Sequence, residues 1–155
     1  MLSKAVVLEI TRWVGVALGF FFSFLWSNTP TEQFTILTVF VVVFVAGITG
    51  IESLFFSKTA RESTGYEGGR AYQRQSAANN LALAIVALVA FFLGWGVFAS
   101  AAIMSVLLVF LTLSSINHLY SAIKEDNKVM KSYLRPILTV VLIVVVLPFM
   151  IMALS

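Results

Sequence analysis

The chain has 155 residues, of which 60% are hydrophobic and 11% charged, far from the roughly one-quarter charged average of soluble domains. A water-soluble fold this small could not cover so much apolar surface, and ten basic against seven acidic residues, dispersed among apolar runs, form no continuous phosphate-binding stripe, so nucleic acid is not expected as a partner. The absence of cysteine excludes disulfides, thiolate zinc sites, iron–sulfur ligation and cysteine nucleophiles, and a single histidine, His118, builds no multi-histidine metal site unless several copies share one.

A helix crosses the hydrocarbon core with about 20 apolar residues at 1.5 Å rise each. The first such run covers about 5–26 and ends at Ser27-Asn28-Thr29-Pro30, where proline discourages further helix. Trp26-Ser27-Asn28 is not a small-x-small cleavage site, so the run reads as a retained span, not a signal peptide. The second run covers about 34–56. From Leu81 to Leu113 no charge occurs, and one straight helix of that length would measure about 50 Å, beyond a bilayer's roughly 30 Å. Gly94-Trp95-Gly96 is the natural turn, predicting helices of about 72–94 and 98–121. The last span is predicted to begin at Pro136, a good first-turn residue, and to run through a valine-rich stretch to Leu154. The expectation is an all-α, polytopic membrane helix bundle of five transmembrane helices, the whole chain forming one transmembrane domain.

Short loops rich in lysine and arginine stay cytoplasmic. Lys4 and Arg12 fall at the start of helix one; Lys58, Arg61, Arg70 and Arg74 lie between helices two and three; Lys124, Lys128, Lys131 and Arg135 lie between four and five, which accounts for every basic residue. The alternate loops carry only Glu32 as a formal charge. Five spans therefore gather all the positive charge on one side and predict an N-terminus in the cytoplasm and a C-terminus outside, in a cell inner (cytoplasmic) membrane.

Small residues recur at helical spacing: Gly15, Gly19 and Ser23 on helix one; Ala46, Gly47, Gly50 and Ser53 on helix two; Ala77, Asn80, Ala84 and Ala87 on helix three. Such stripes let backbones approach closely where lipid supplies no hydrophobic drive, and they predict a bundle packed along these faces. The fourteen phenylalanines read as lipid-facing and core bulk and not as a cofactor box.

Polar residues inside spans are costly and are the candidates for function. Glu9 and Arg12 open helix one, Glu52 lies near the end of helix two, and Asn117 and His118 near the end of helix four; Arg70, Arg74, Gln75, Asn79 and Asn80 start helix three, and Tyr133 and Arg135 precede helix five. Under the expected topology these fall at one depth, a ring in the cytoplasmic leaflet. One reading is an ordinary polar interface in which Glu9 neutralises Arg12 and Glu52 neutralises Arg74. The other is a pocket open to the cytoplasm, with Glu52, Arg70, Arg74, Gln75, Asn79, Asn80, Asn117 and His118 holding an anionic or amphipathic ligand whose apolar part lies among the helices. Ser114, Asn117, His118 and Ser121 share one helix face by their spacing. No serine–histidine–acid triad, carboxylate pair or phosphate-cradling loop occurs, and Gly65-Tyr66-Glu67-Gly68-Gly69 reads as a turn leading into helix three.

The run Arg70-Ala71-Tyr72-Gln73-Arg74-Gln75-Ser76-Ala77-Ala78-Asn79-Asn80 resembles the second-helix signature of the membrane-associated eicosanoid and glutathione metabolism (MAPEG) proteins. Helices two to five would then correspond to that family's four-helix bundle, with helix one an addition. The resemblance implies trimers that bind glutathione or lipids between subunits, with Arg70, Arg74 and Asn79 holding an anionic ligand. The arginine-to-asparagine spacing here is five where the family has four, and Ala82 stands at the family's glutamate.

Three functional readings remain open at the level of sequence. One is a small membrane protein with a cytoplasmic-leaflet ligand site and no established catalysis or cofactor. The second is an accessory or structural subunit of a larger membrane complex, using the glycine stripe of helix one and exposed phenylalanines. The third is a MAPEG-like enzyme. The lipid bilayer is a partner in all of them, with a homo-oligomer or larger membrane complex as the further assembly; a transporter is disfavoured because no charge is expected near the midplane.

Overall fold

With no water to serve backbone N–H and C=O groups in hydrocarbon, each apolar run must satisfy its own, and it does so as a helix. The computed structural model of the chain describes residues 4–56, 58, 70–124 and 130–155. Its helices are α1 (Lys4–Trp26), α2 (Pro30–Phe55), α3 (Arg70–Phe92), α4 (Val97–Lys124) and α5 (Met130–Leu154). All five are long and apolar enough to cross a bilayer, and among the described residues there is no strand. The chain is an all-helical, multi-pass membrane protein. The turn expected over Gly65–Gly69 lies outside the described residues, as do Arg61, Lys128 and the side chains of Arg70 and Lys131.

The connections explain where the helices differ from the sequence reading. Thr29 caps α2, its hydroxyl accepting from the Glu32 N–H at 3.2 Å, while the Glu32 carboxylate accepts from the Asn28 N–H at 2.8 Å. With Pro30 at the first helical position, this reciprocal cap starts α2 at the proline itself, ahead of the apolar run expected from about 34. Gly94 and Gly96 take positive φ values of 64° and 86°, conformations glycine adopts without strain, and they reverse the chain between α3 and α4. Helix α5 starts at Met130, so Pro136 is not its first-turn residue but lies within it, as does Pro148. A proline there forfeits the bond to the carbonyl four residues back, a loss that neighbouring helices make tolerable in a membrane.

Helix α2 is the hub. In its most apolar stretch 61% of residues are buried inside the protein, against 22–33% for the other four, and it packs on α1, α3, α4 and α5. Its side chains Phe34, Leu37, Val41 and Val42 meet Met104 and Leu107 of α4 and Val146 of α5 in a core with essentially no exposure. The small-residue stripes act inside the chain. A Cβ on Gly15 would stand 1.9 Å from the Phe44 ring, one on Gly19 2.6 Å from Phe40 Cβ, and one on Gly50 2.6 Å from Leu81 Cγ. Ala77, Asn80, Ala84 and Ala87 are all buried, forming the face of α3 that meets α2.

Midway, α2 widens into a single π-helical turn over Val43–Gly47 before resuming α-helix at Ile48. A π-bulge inserts one residue, which re-phases everything after it by about 100°. Beyond this turn come Thr49, Glu52 and Ser53, and with them the character of the bundle changes.

Candidate functional site

The alternating direction of the helices places the start of α1, the end of α2, the start of α3, the end of α4 and the start of α5 at one end of the bundle. Arg12, on the face of α1 that meets α2, is only 5% exposed, and Glu52 only 2%. Arg12 donates through Nη2 to Glu52 Oε2 at 3.1 Å and through Nη1 to Glu9 Oε2. Trp13 Nε1 donates to the other Glu9 oxygen at 2.9 Å. One buried guanidinium is thus held between two carboxylates, as a desolvated charge must be. The pairing of Glu9 with Arg12 is as expected. The expected pairing of Glu52 with Arg74 is not formed: Arg74 is exposed on α3, and the partner of Glu52 comes from α1, forty residues away in sequence.

Across the bundle, His118 is 1% exposed and its Nε2 lies 3.1 Å from Arg135 Nη1 of α5. Arginine only donates, so Nε2 must be the accepting nitrogen and the imidazole carries its hydrogen on Nδ1. Next to this pair Ser115 donates to Thr139 Oγ1 at 2.8 Å, tying α4 to α5. Asn80 is buried, its amide nitrogen donating to the Ser76 carbonyl at 2.9 Å.

Between α2, α3 and α4, with Arg135 of α5 as one wall, these groups surround a cavity of about 470 Å³. Its polar lining includes Glu52 and Ser53 from α2, Gln73, Ser76 and Asn80 from α3, and Asn117 and His118 from α4; Phe110 and Leu113, nearer the middle of α4, supply an apolar end. Tyr72, Leu113 and Asn117 are exposed as well as lining, so the cavity opens outward between α3 and α4. A second, smaller chamber of about 60 Å³ lies toward α1 and α5, lined by Arg12, Thr49, Ser115, Arg135 and Thr139 among others. Thr49, Ser114 and Arg135 line both spaces.

Of the residues singled out in the sequence, Glu52, Asn80, Asn117 and His118 are brought together around the cavity. Arg74, Gln75 and Asn79 are exposed and do not line it; Arg70 opens α3. The ligand set expected from sequence lacked Gln73, Arg135 and Arg12, although Arg12 and Arg135 belong to the polar ring. Gln73 was detectable, since it lies seven residues before Asn80 and four before Ala77 on the face already recognised as packed. The inclusion of Arg135 depended on where α5 begins: only with a helix from Met130 does this residue turn into the bundle. Among the described residues no three His, Cys, Asp or Glu side chains could together hold a metal ion.

The chain matches no curated protein and no solved structure. Its sequence does match, over residues 6–155, the pattern of a family of unknown function, DUF6790, and the chain belongs to that family.

Proposed function

We propose that the protein binds an amphipathic molecule in the cavity between α2, α3 and α4, with its polar head among Glu52, Asn80, Asn117, His118 and Arg135 and its apolar part leaving between α3 and α4 into the bilayer. The observation that carries this reading is the division of one cavity of about 470 Å³, within helices that span the membrane, into a polar end and an end lined by Phe110 and Leu113. A volume in the range of small-molecule sites, bounded by amides, a carboxylate and a guanidinium, is suited to holding a head group in a fixed orientation. The distribution of basic residues further supports placing this end of the bundle at the cytoplasmic face of an inner membrane. The proposal is one of binding, and no reaction is assigned.

The test is thermal unfolding of the purified protein in a mild detergent, with and without a single-chain amphiphile, dodecyl phosphate. Saturable stabilisation is expected in the wild type and should vanish in Ser76→Phe, which fills the cavity, while the unliganded melting temperature is kept. Stabilisation that survives Ser76→Phe would place the ligand elsewhere. A discrete trimer stabilised by glutathione would instead support the MAPEG-like enzyme, and co-purification with other chains the accessory subunit. For that last role the glycine stripe of α1 is already occupied by Phe40 and Phe44 of α2. The topology has its own check: a reporter fused after Ser155 is expected on the outer side and one before Lys4 on the inner.

A further inference from the structure

The small chamber behind the cavity has a lining of a different kind. Two guanidinium-bearing residues, Arg12 and Arg135, border it together with the hydroxyls of Ser114, Ser115 and Thr139, and among the described residues no carboxylate does. Arg12 is buried, both of its terminal nitrogens are engaged by Glu9 and Glu52, and its Nε has no hydrogen-bond partner among the described residues. A buried, charged N–H donor without an acceptor is costly and calls for one. Thr139 Oγ1 already accepts from Ser115, so the hydrogen of Thr139 is directed away from that bond and adds a second donor. The remaining walls are apolar, Val45, Leu111, Leu138 and Leu142, which keeps the local dielectric low and strengthens every charge-assisted bond made inside.

A donor-lined, carboxylate-free chamber of about 60 Å³ has room for a few water-sized groups and has the wrong polarity for a cation. We propose that it is an oxyanion subsite, taking a phosphate or carboxylate group between Arg12 and Arg135. This rests on the reading of the outer cavity as an amphiphile site and deepens it: Thr49, Ser114 and Arg135 form the common wall, so a ligand whose tail lies along Phe110 and Leu113 presents its acidic head there. The ligand class is therefore a singly tailed, acid-headed amphiphile, the same head chemistry being available from free phosphate.

Three probes separate the possibilities in detergent: dodecyl phosphate, dodecanol and inorganic phosphate, each titrated by thermal shift on wild type, Thr139→Val and Ser115→Ala. Thr139 and Ser115 border the inner chamber and not the outer cavity. Wild type is expected to prefer dodecyl phosphate over dodecanol by about tenfold, the worth of one charge-assisted bond. Thr139→Val, which removes a donor, should lower that ratio, and Ser115→Ala, whose hydroxyl hydrogen is already given to Thr139, should lower it less. Both should leave the dodecanol affinity in place, a pattern that mere loosening of the bundle would not produce. Equal affinity for the two amphiphiles in wild type would overturn the subsite and leave the outer cavity standing. Stabilisation by inorganic phosphate alone, sensitive to Thr139→Val, would uphold the subsite with a free oxyanion as its source and overturn the amphiphile site. Response to none of the three probes would overturn both.

Discussion

Helix α2 serves two regions of the bundle that differ in kind. From Phe34 to Val42 its buried side chains are apolar but for Thr38 and pack against α4 and α5. The space of about 230 Å³ that borders this stretch, between Val39 and Phe40 of α2 and Leu88, Phe91 and Phe92 of α3, is lined by apolar side chains alone. From Thr49 to Phe55 the same helix carries Glu52 and Ser53, both buried, on the wall of an open space of about 470 Å³. The π-turn at Val43–Gly47 separates the halves. In lipid the apolar half gains nothing from leaving water, so its order comes from close contact alone. The polar half is held by paired charges and hydrogen bonds, which tolerate empty space between them. Of α2, only residues beyond the π-turn line the open space of about 470 Å³.

That difference is broken most severely at the charges. Replacing Glu52 with Leu leaves Arg12 buried with Glu9 as its remaining carboxylate, and the expected loss is about 3 kcal/mol, the lower end for breaking a buried pair. The double replacement Arg12→Leu with Glu52→Leu removes both charges and is expected to recover most of that loss. Unfolding of wild type, the two single variants Glu52→Leu and Arg12→Leu, and the double variant in detergent gives the coupling directly, and a double loss equal to the sum of the two single losses would mean that the pair is not energetically joined. Next in size comes the apolar half. Leu107→Ala, at a fully buried position, is expected to cost about 2 kcal/mol, near the bottom of the range for water-soluble cores. Only the cavity term remains when the unfolded reference also sits in lipid.

Smaller still is the backbone approach between α2 and α3. A methyl on Gly50 would meet Leu81 Cγ at 2.6 Å and the Ala77 carbonyl at 3.1 Å, whereas one on Gly47 would reach Ala84 Cβ at an ordinary 3.5 Å. Gly50→Ala is expected to destabilise by about 1–2 kcal/mol because a neighbouring backbone must shift. Gly47→Ala should change stability by less than about 0.5 kcal/mol despite lying one turn away. Comparing their melting temperatures checks the register of the helix pair.

Much of this was legible in the sequence. Apolar length fixes the number of spans, Gly94-Trp95-Gly96 the hairpin between α3 and α4, and the spacing of Ala77, Asn80, Ala84 and Ala87 the packed face of α3. What could not be read were contacts between helices distant in the chain. No spacing rule reveals that Glu52 finds Arg12, because the choice depends on how α1 and α2 rotate about their glycine stripe. The start of α5 was misplaced for a local reason, since a proline is favourable in a first turn and tolerable inside a membrane helix, and the sequence does not distinguish the two. The difference matters to the site, because it decides whether Arg135 belongs to a loop or to the wall of the cavity.

The smallest effect is expected where sequence resemblance and geometry disagree. The run from Arg70 to Asn80 resembles a motif in which Arg74 and Asn79 hold an anionic ligand between subunits, yet in the single chain both are exposed, while the adjacent Asn80 is buried at the cavity wall. A helix turns about 100° per residue, so Asn79 and Asn80 cannot both face the same space. Asn79→Ala is therefore expected to change stability by less than about 0.5 kcal/mol, as surface substitutions do, and to leave stabilisation by dodecyl phosphate intact. Asn80→Leu should abolish that stabilisation, because it replaces a head-group partner with an apolar side chain. The opposite pattern, loss with Asn79→Ala and none with Asn80→Leu, would move the ligand to the outer face of α3. Such a face becomes a site only when a second subunit covers it, so the size of the detergent-solubilised particle would decide between the two arrangements.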